Sequence, residues 1–170
     1  CCIGNGFVRD GITTWAPTII DGLSGSETLN PTLTSLLIPV LNLMGVLLAK
    51  KVYRLFGGDA RRSVGYLMLT SAALALLLIP AMRSAIVCAL LLGLCCSATY
   101  GINPMLTTFI PMGYEQGRRV SLVAGMMDSF IYVGSSLAGV ITGAIRDSAG
   151  WTPVFILWCG VAVMAFILAL

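Results

Sequence analysis

The chain alternates long apolar runs with short clusters of charge. No Asp, Glu, Lys or Arg occurs from Thr28 to Ala49, Ser63 to Met82, Ser84 to Tyr114 or Trp151 to Leu170. A bilayer core about 30 Å thick needs roughly 20 apolar helical residues, and each run reaches that length. The pattern predicts six helices, over 1–20, 30–50, 63–81, 84–110, 119–144 and 151–170. In hydrocarbon the backbone must satisfy its own hydrogen bonds, which makes helices the default. Barrel strands would alternate polar and apolar positions, and "ALALLLIPAM" and "AIVCALLLGL" do not. The expected fold class is an all-α membrane protein with six transmembrane helices, residues 1–170 forming one unit.

Small residues mark helix contacts. In "YVGSSLAGVITGAI", Gly139 and Gly143 make a GxxxG pair, and Gly134, Ser135 and Ala138 widen the small face. Such faces let membrane helices approach closely. Trp15-Ala16-Pro17, Pro39 and Asn103-Pro104 are expected bends, because proline leaves carbonyls unpaired.

Composition narrows the classes. Of 170 residues, 58% are hydrophobic and 10% charged, against about 25% charged in a soluble domain. There is no His, and Cys1, Cys2, Cys88, Cys95, Cys96 and Cys159 all lie in apolar runs. They read as small hydrophobes at helix contacts. No metal site, cofactor or enzyme activity is expected, since no ligand spacing and no nucleophile–base pair is present. The chain begins and ends within apolar sequence and has no signal peptide, which reads as a piece of a larger protein.

Charge assigns sides. Lys50, Lys51, Arg54, Arg61 and Arg62 cluster in the link after the second span, and Arg118 and Arg119 in the link after the fourth. Only Arg83 and Arg146 stand on the opposite side. Basic links favour the cytoplasmic face, so the first span runs outward. A basic run could instead bind anionic lipid or an acidic partner. The topological reading accounts for the net charge of +3, and no nucleic-acid partner is expected. The expected location is the plasma membrane, multi-pass, as in a bacterial inner membrane.

Four polar residues fall at similar depth. At about 1.5 Å per residue, Arg9 lies about 18 Å below the outer surface, Asn42 about 18 Å from its outer end, and Asn103 and Asp128 about 12 Å above the inner end. Ionisable residues at such depth face a bundle interior or cavity and mark a pathway. The Arg9 fork matches a phosphate or carboxylate. Thr13, at i+4, shares its face and can add a hydroxyl. Asp10 is about 100° away around the helix, so it is not expected to point where Arg9 points. Asp128 either neutralises Arg9 or carries a proton. The candidate binding residues are therefore Arg9, Thr13, Asn42, Asn103 and Asp128.

Six spans with a basic link after the second resemble the C-terminal half of a major facilitator superfamily transporter. "RDGITTWAPT" is similar to the segment opening this half in the organophosphate:phosphate antiporters, the branch of the glycerol-3-phosphate and hexose-phosphate carriers. "GRRVSLVAGMMDSFIYVGSSLAGVITGAIRDSAGW" resembles the same branch's penultimate helix and the turn after it. The resemblance implies half of a twelve-helix fold built on a 3+3 inverted repeat, working by alternating access with its other half. It implies that Arg9 is a phosphate ligand and that the basic link is a gating element. Asp10 and Thr14 stand where the antiporters have an aromatic and an acid, and "VLLAKKVYR" has no acid at the place of the gating motif's aspartate, Asp59 coming later. The expected function is secondary transport of a small organic anion, a phosphate ester exchanged for phosphate. A proton-coupled carrier using Asp128 and a non-transporting metabolite sensor are the alternatives.

Overall fold

The computed structural model describes residues 1–23, 31–113 and 119–170, and of 31–37 the backbone only. Arg118, assigned to the second basic link, lies outside the described residues. Among these residues the chain is helical, without strands: α1 (Cys2–Leu23), α2 (Pro31–Leu55), α3 (Ala60–Ala81), α4 (Ala85–Met112), α5 (Val120–Ala149) and α6 (Trp151–Ala169). Four of them, α3 to α6, are long and apolar enough to cross a membrane. The chain is a helical membrane protein on that ground. In α1 the apolar run is diluted by Asn5, Arg9, Asp10, Thr13 and Thr14.

The helix ends follow from local chemistry. Pro31 opens α2, a position where its missing N–H costs nothing. Gly57 and Gly58, at φ of 68° and 80°, end it by turning N–H groups back onto the carbonyls of Arg54 and Tyr53 at 3.1 and 3.0 Å. Asp59 then caps α3, Oδ1 accepting from the backbone of Arg61 and Arg62 at 3.0 and 3.2 Å. Consequently the basic cluster is mostly helix, not link. Lys50, Lys51 and Arg54 ride on the last turns of α2, and Arg61 and Arg62 on the first turn of α3. Lys and Arg are good helix formers, and all five are exposed. Arg54 complements the negative end of its helix, and the Asp59 carboxylate offsets two arginines at a positive end, pairing with Arg62 Nε at 3.2 Å. Gly150, at φ 80°, separates α5 from α6, so α5 runs five residues beyond the expected 144.

Asn103–Pro104 does not end α4. The helix widens to a π-helical turn over Met105–Phe109. Proline donates no N–H, and Thr107 Oγ1 satisfies the Asn103 carbonyl at 3.0 Å.

The main helix pairs are α1 with α5, α2 with α4, α3 with α6 and α3 with α4. Exchanging the first three helices for the last three in order turns the α1–α5 pair into α4–α2 and returns α3–α6 to itself. Glycines obey the same exchange. A side-chain carbon on Gly6 of α1 would strike the Ile131 carbonyl of α5, and one on Gly134 would strike the Ile3 carbonyl of α1. Across the second pair, a carbon on Gly45 would strike the Ser97 carbonyl, and one on Gly101 would come within 3.0 Å of the Gly45 carbonyl. Backbones this close maximise dispersion contact and exclude any larger residue.

On the expected small face of α5, Gly139 stands apart. A carbon added at Gly143 would come within 3.2 Å of the Trp15 ring, but one added at Gly139 would meet no atom within 4 Å. The buried face is Ile131, Gly134, Ala138 and Thr142. A four-residue step from Gly134 leads to Ala138, whereas Gly139 is rotated about 100° away from Ala138. The core between helices holds Val8, Ile12, Met68, Leu92, Phe155 and Trp158, with Cys88, Cys95 and Cys96 buried among them. At the end opposite the basic cluster, Arg146 lies over the rings of Trp15 and Trp151, 5.7 and 5.4 Å from their centroids. That contact ties α1, α5 and α6 together.

Candidate functional site

Arg9 sits in mid-helix on α1, on the residue face between α4 and α5, and only 8% of its surface is exposed. A guanidinium held this way must find partners, because an unpaired buried charge is costly. It finds three kinds. Nε and Nη2 donate to the two oxygens of Asp10 at 2.6 and 2.9 Å. Nη1 donates to Asn103 Oδ1 of α4 at 3.0 Å. The Tyr100 ring, one turn before Asn103, lies 5.5 Å from the guanidinium carbon. Ser135 of α5 lies near the Asp10 carboxylate, its hydroxyl donating to the Ile131 carbonyl at 3.1 Å.

Asp10 is therefore the partner of Arg9, against the expectation that neighbours 100° apart cannot meet. The angle describes Cβ directions. The arginine stem has three methylenes, long enough to curl round the helix and bring its edge to the next side chain. The result is a bidentate ion pair, the strongest geometry such a pair can take.

The remaining candidates divide. Asn103 joins Arg9, so two residues ninety-four positions apart meet. Thr13 shares the face but its hydroxyl is committed, donating to the Arg9 carbonyl at 2.8 Å and lying 3.7 Å from Cys96 Sγ. It is not a free donor for a ligand in this conformation. Asn42 is buried on α2, and its Oδ1 has no partner among the described residues. Asp128 is half-buried and forms no ion pair among the described residues. It does not neutralise Arg9, because Asp10 already does.

Asp10, Tyr100 and Ser135 were not among the expected site residues. Tyr100 was legible as the i−3 neighbour of Asn103, which puts it on the same face. Asn5 is a further omission. It is fully buried one turn before Arg9, and neither its Oδ1 nor its Nδ2 has a partner among the described residues.

The cluster of Arg9, Asp10, Asn103, Tyr100 and Ser135 combines one cation, one anion and neutral donors and acceptors from three helices. Guanidinium has five N–H donors. Three are engaged here, which leaves one on each terminal nitrogen. Such a site can hold an oxoanion or a polyhydroxylated group by hydrogen bonds. No protein-family model, curated protein or solved structure matches the chain.

Proposed function

We propose that this chain is one half of a major facilitator-type secondary transporter, and that it moves a small organic anion through the Arg9 site by alternating access. The observation that carries the reading is Arg9 itself. A permanent cation is held on α1 with only 8% of its surface exposed, and one N–H on each terminal nitrogen has no partner among the described residues. Intramembrane charges of that kind belong to substrate pathways by default.

Two further features support the proposal. Helix pairs and glycine contacts repeat under exchange of the first three helices for the last three, the symmetry of inverted-repeat carriers. "RDGITTWAPT" resembles the opening segment of the organophosphate:phosphate antiporters. On that resemblance the cargo is a phosphate ester exchanged for phosphate, and α1, α4 and α5 form one wall of a pathway completed by another six helices. The plasma membrane is the corresponding location.

Uptake of labelled glycerol 3-phosphate by proteoliposomes of the full-length protein tests the reading, with inorganic phosphate inside. Arg9→Lys keeps the charge but loses the planar fork. The variant should insert normally and lose most uptake. Unchanged uptake by Arg9→Lys would reject the role of Arg9, and binding without flux in the unsubstituted protein would favour a sensor.

A further inference from the structure

We propose that Asp10 is a resident counter-anion that competes with the cargo for Arg9, and so sets how tightly the site takes an oxoanion. The inference rests on the anion-carrier reading above and concerns which residue limits its affinity.

The geometry is specific. Asp10 covers the Nε–Nη2 edge of the guanidinium with both carboxylate oxygens, at 2.6 and 2.9 Å. This is the edge pattern a phosphate or carboxylate ligand uses on arginine. With Asp10 in place the Arg9–Asp10 pair has no net charge. An incoming anion meets a carboxylate a few ångströms away, in surroundings where water screens little. The anion must either accept only the two free N–H groups, against that repulsion, or displace Asp10 from its edge. Displacement is feasible because the Asp10 side chain is 27% exposed, so water can receive it.

Asp10 also solves the empty-site problem. A half-empty carrier with a bare buried guanidinium would carry an uncompensated charge through the bilayer core. An internal carboxylate holds that charge neutral until cargo takes over. The other side chains in contact with Arg9, Tyr100 and Asn103 on α4, carry no formal charge that could substitute.

The test is equilibrium binding of inorganic phosphate and of glycerol 3-phosphate to the purified full-length protein, as wild type, Asp10→Asn and Asp10→Ser. Both substitutions remove the competing charge while leaving Arg9. The proposal predicts that each variant binds both anions about tenfold or more tighter, because the repelling charge is gone, and exchanges them more slowly. Equal or weaker binding by two folded variants would overturn it and make Asp10 a positioning residue for Arg9. A second measurement needs no stable variant. Phosphate added to the wild type should shift a carboxylate stretching band in the infrared difference spectrum, as Asp10 leaves the guanidinium. An unshifted carboxylate band at phosphate saturation would also overturn the proposal. If neither anion binds wild type or variants, the anion-carrier reading itself fails, and this inference fails with it; that result is distinct from anions that bind without feeling Asp10.

Discussion

Alanine at Gly134 and alanine at Gly139 make one covalent change five residues apart on α5, and the structure gives them different outcomes. At Gly139 the added methyl meets no atom within 4 Å. Only the backbone term remains, and alanine is favoured over glycine in a helix interior by about 1 kcal/mol. At Gly134 the methyl runs into the Ile3 carbonyl of α1. No rotamer relieves that clash, because both atoms belong to helix backbones. The helices must part along the α1–α5 seam, and overpacking of this kind costs about 1–3 kcal/mol. Against the same gain in propensity, Gly134→Ala comes out neutral to destabilising by about 2 kcal/mol. The two variants should therefore differ by about 1–3 kcal/mol, and at about 2–4 °C per kcal/mol for a chain of this size the gap is several degrees. Thermal unfolding of the full-length protein in detergent, followed by size-exclusion of the surviving monomer, reads it directly. Equal Tm values, or a less stable Gly139→Ala, would show that α5 does not pack on its Ile131–Gly134–Ala138 face.

Asp59→Ala removes the cap of α3 and the only acid beside Arg61 and Arg62 in that turn; loss of such a cap costs about 1 kcal/mol, visible as a lowered Tm with the Arg9 cluster unaffected. Asn103→Ala deprives Arg9 Nη1 of its acceptor but leaves both bonds to Asp10. It should weaken anion binding by no more than about tenfold, the equivalent of about 1.4 kcal/mol, since one hydrogen bond to a charged group is lost at a partly exposed acceptor. A larger loss, close to that of Arg9→Lys, would make Asn103 a direct ligand.

Much of the fold is visible in the apolar runs, because a charge-free stretch of 20 residues permits few structures other than a helix. Helix ends were less legible at the basic cluster. Charge marks the membrane boundary, but lysine and arginine continue a helix past it, and only Gly57, Gly58 and Asp59 stop it. Similar depth put Arg9 and Asn103 in one candidate set, but nothing in the sequence singled out their pairing. The partnership of Arg9 with Asp10 did not, because the angle between neighbouring Cβ atoms ignores the reach of a long side chain. Gly139 shows a similar gap. The GxxxG spacing identifies a small stripe but not the direction it faces; Gly134 and Ala138 of the expected face are buried, together with Thr142, while Gly139 is not. Asn5 was overlooked since one amide in an apolar run gives no pattern, although its place one turn before Arg9 set it on the same side of α1.

The central claim is that an anion meets Arg9 inside the membrane from a water-filled space. A cysteine at Thr13, one turn from Arg9 on the same face, reports on that space while keeping the arginine. In full-length protein lacking the six native cysteines of this segment, its rate of reaction with a membrane-impermeant thiol reagent is the measurement. The account predicts reaction from the aqueous phase, slowed several-fold by saturating glycerol 3-phosphate but not by glycerol. Reaction only with a lipid-soluble reagent, or reaction at a rate no anion alters, would contradict it.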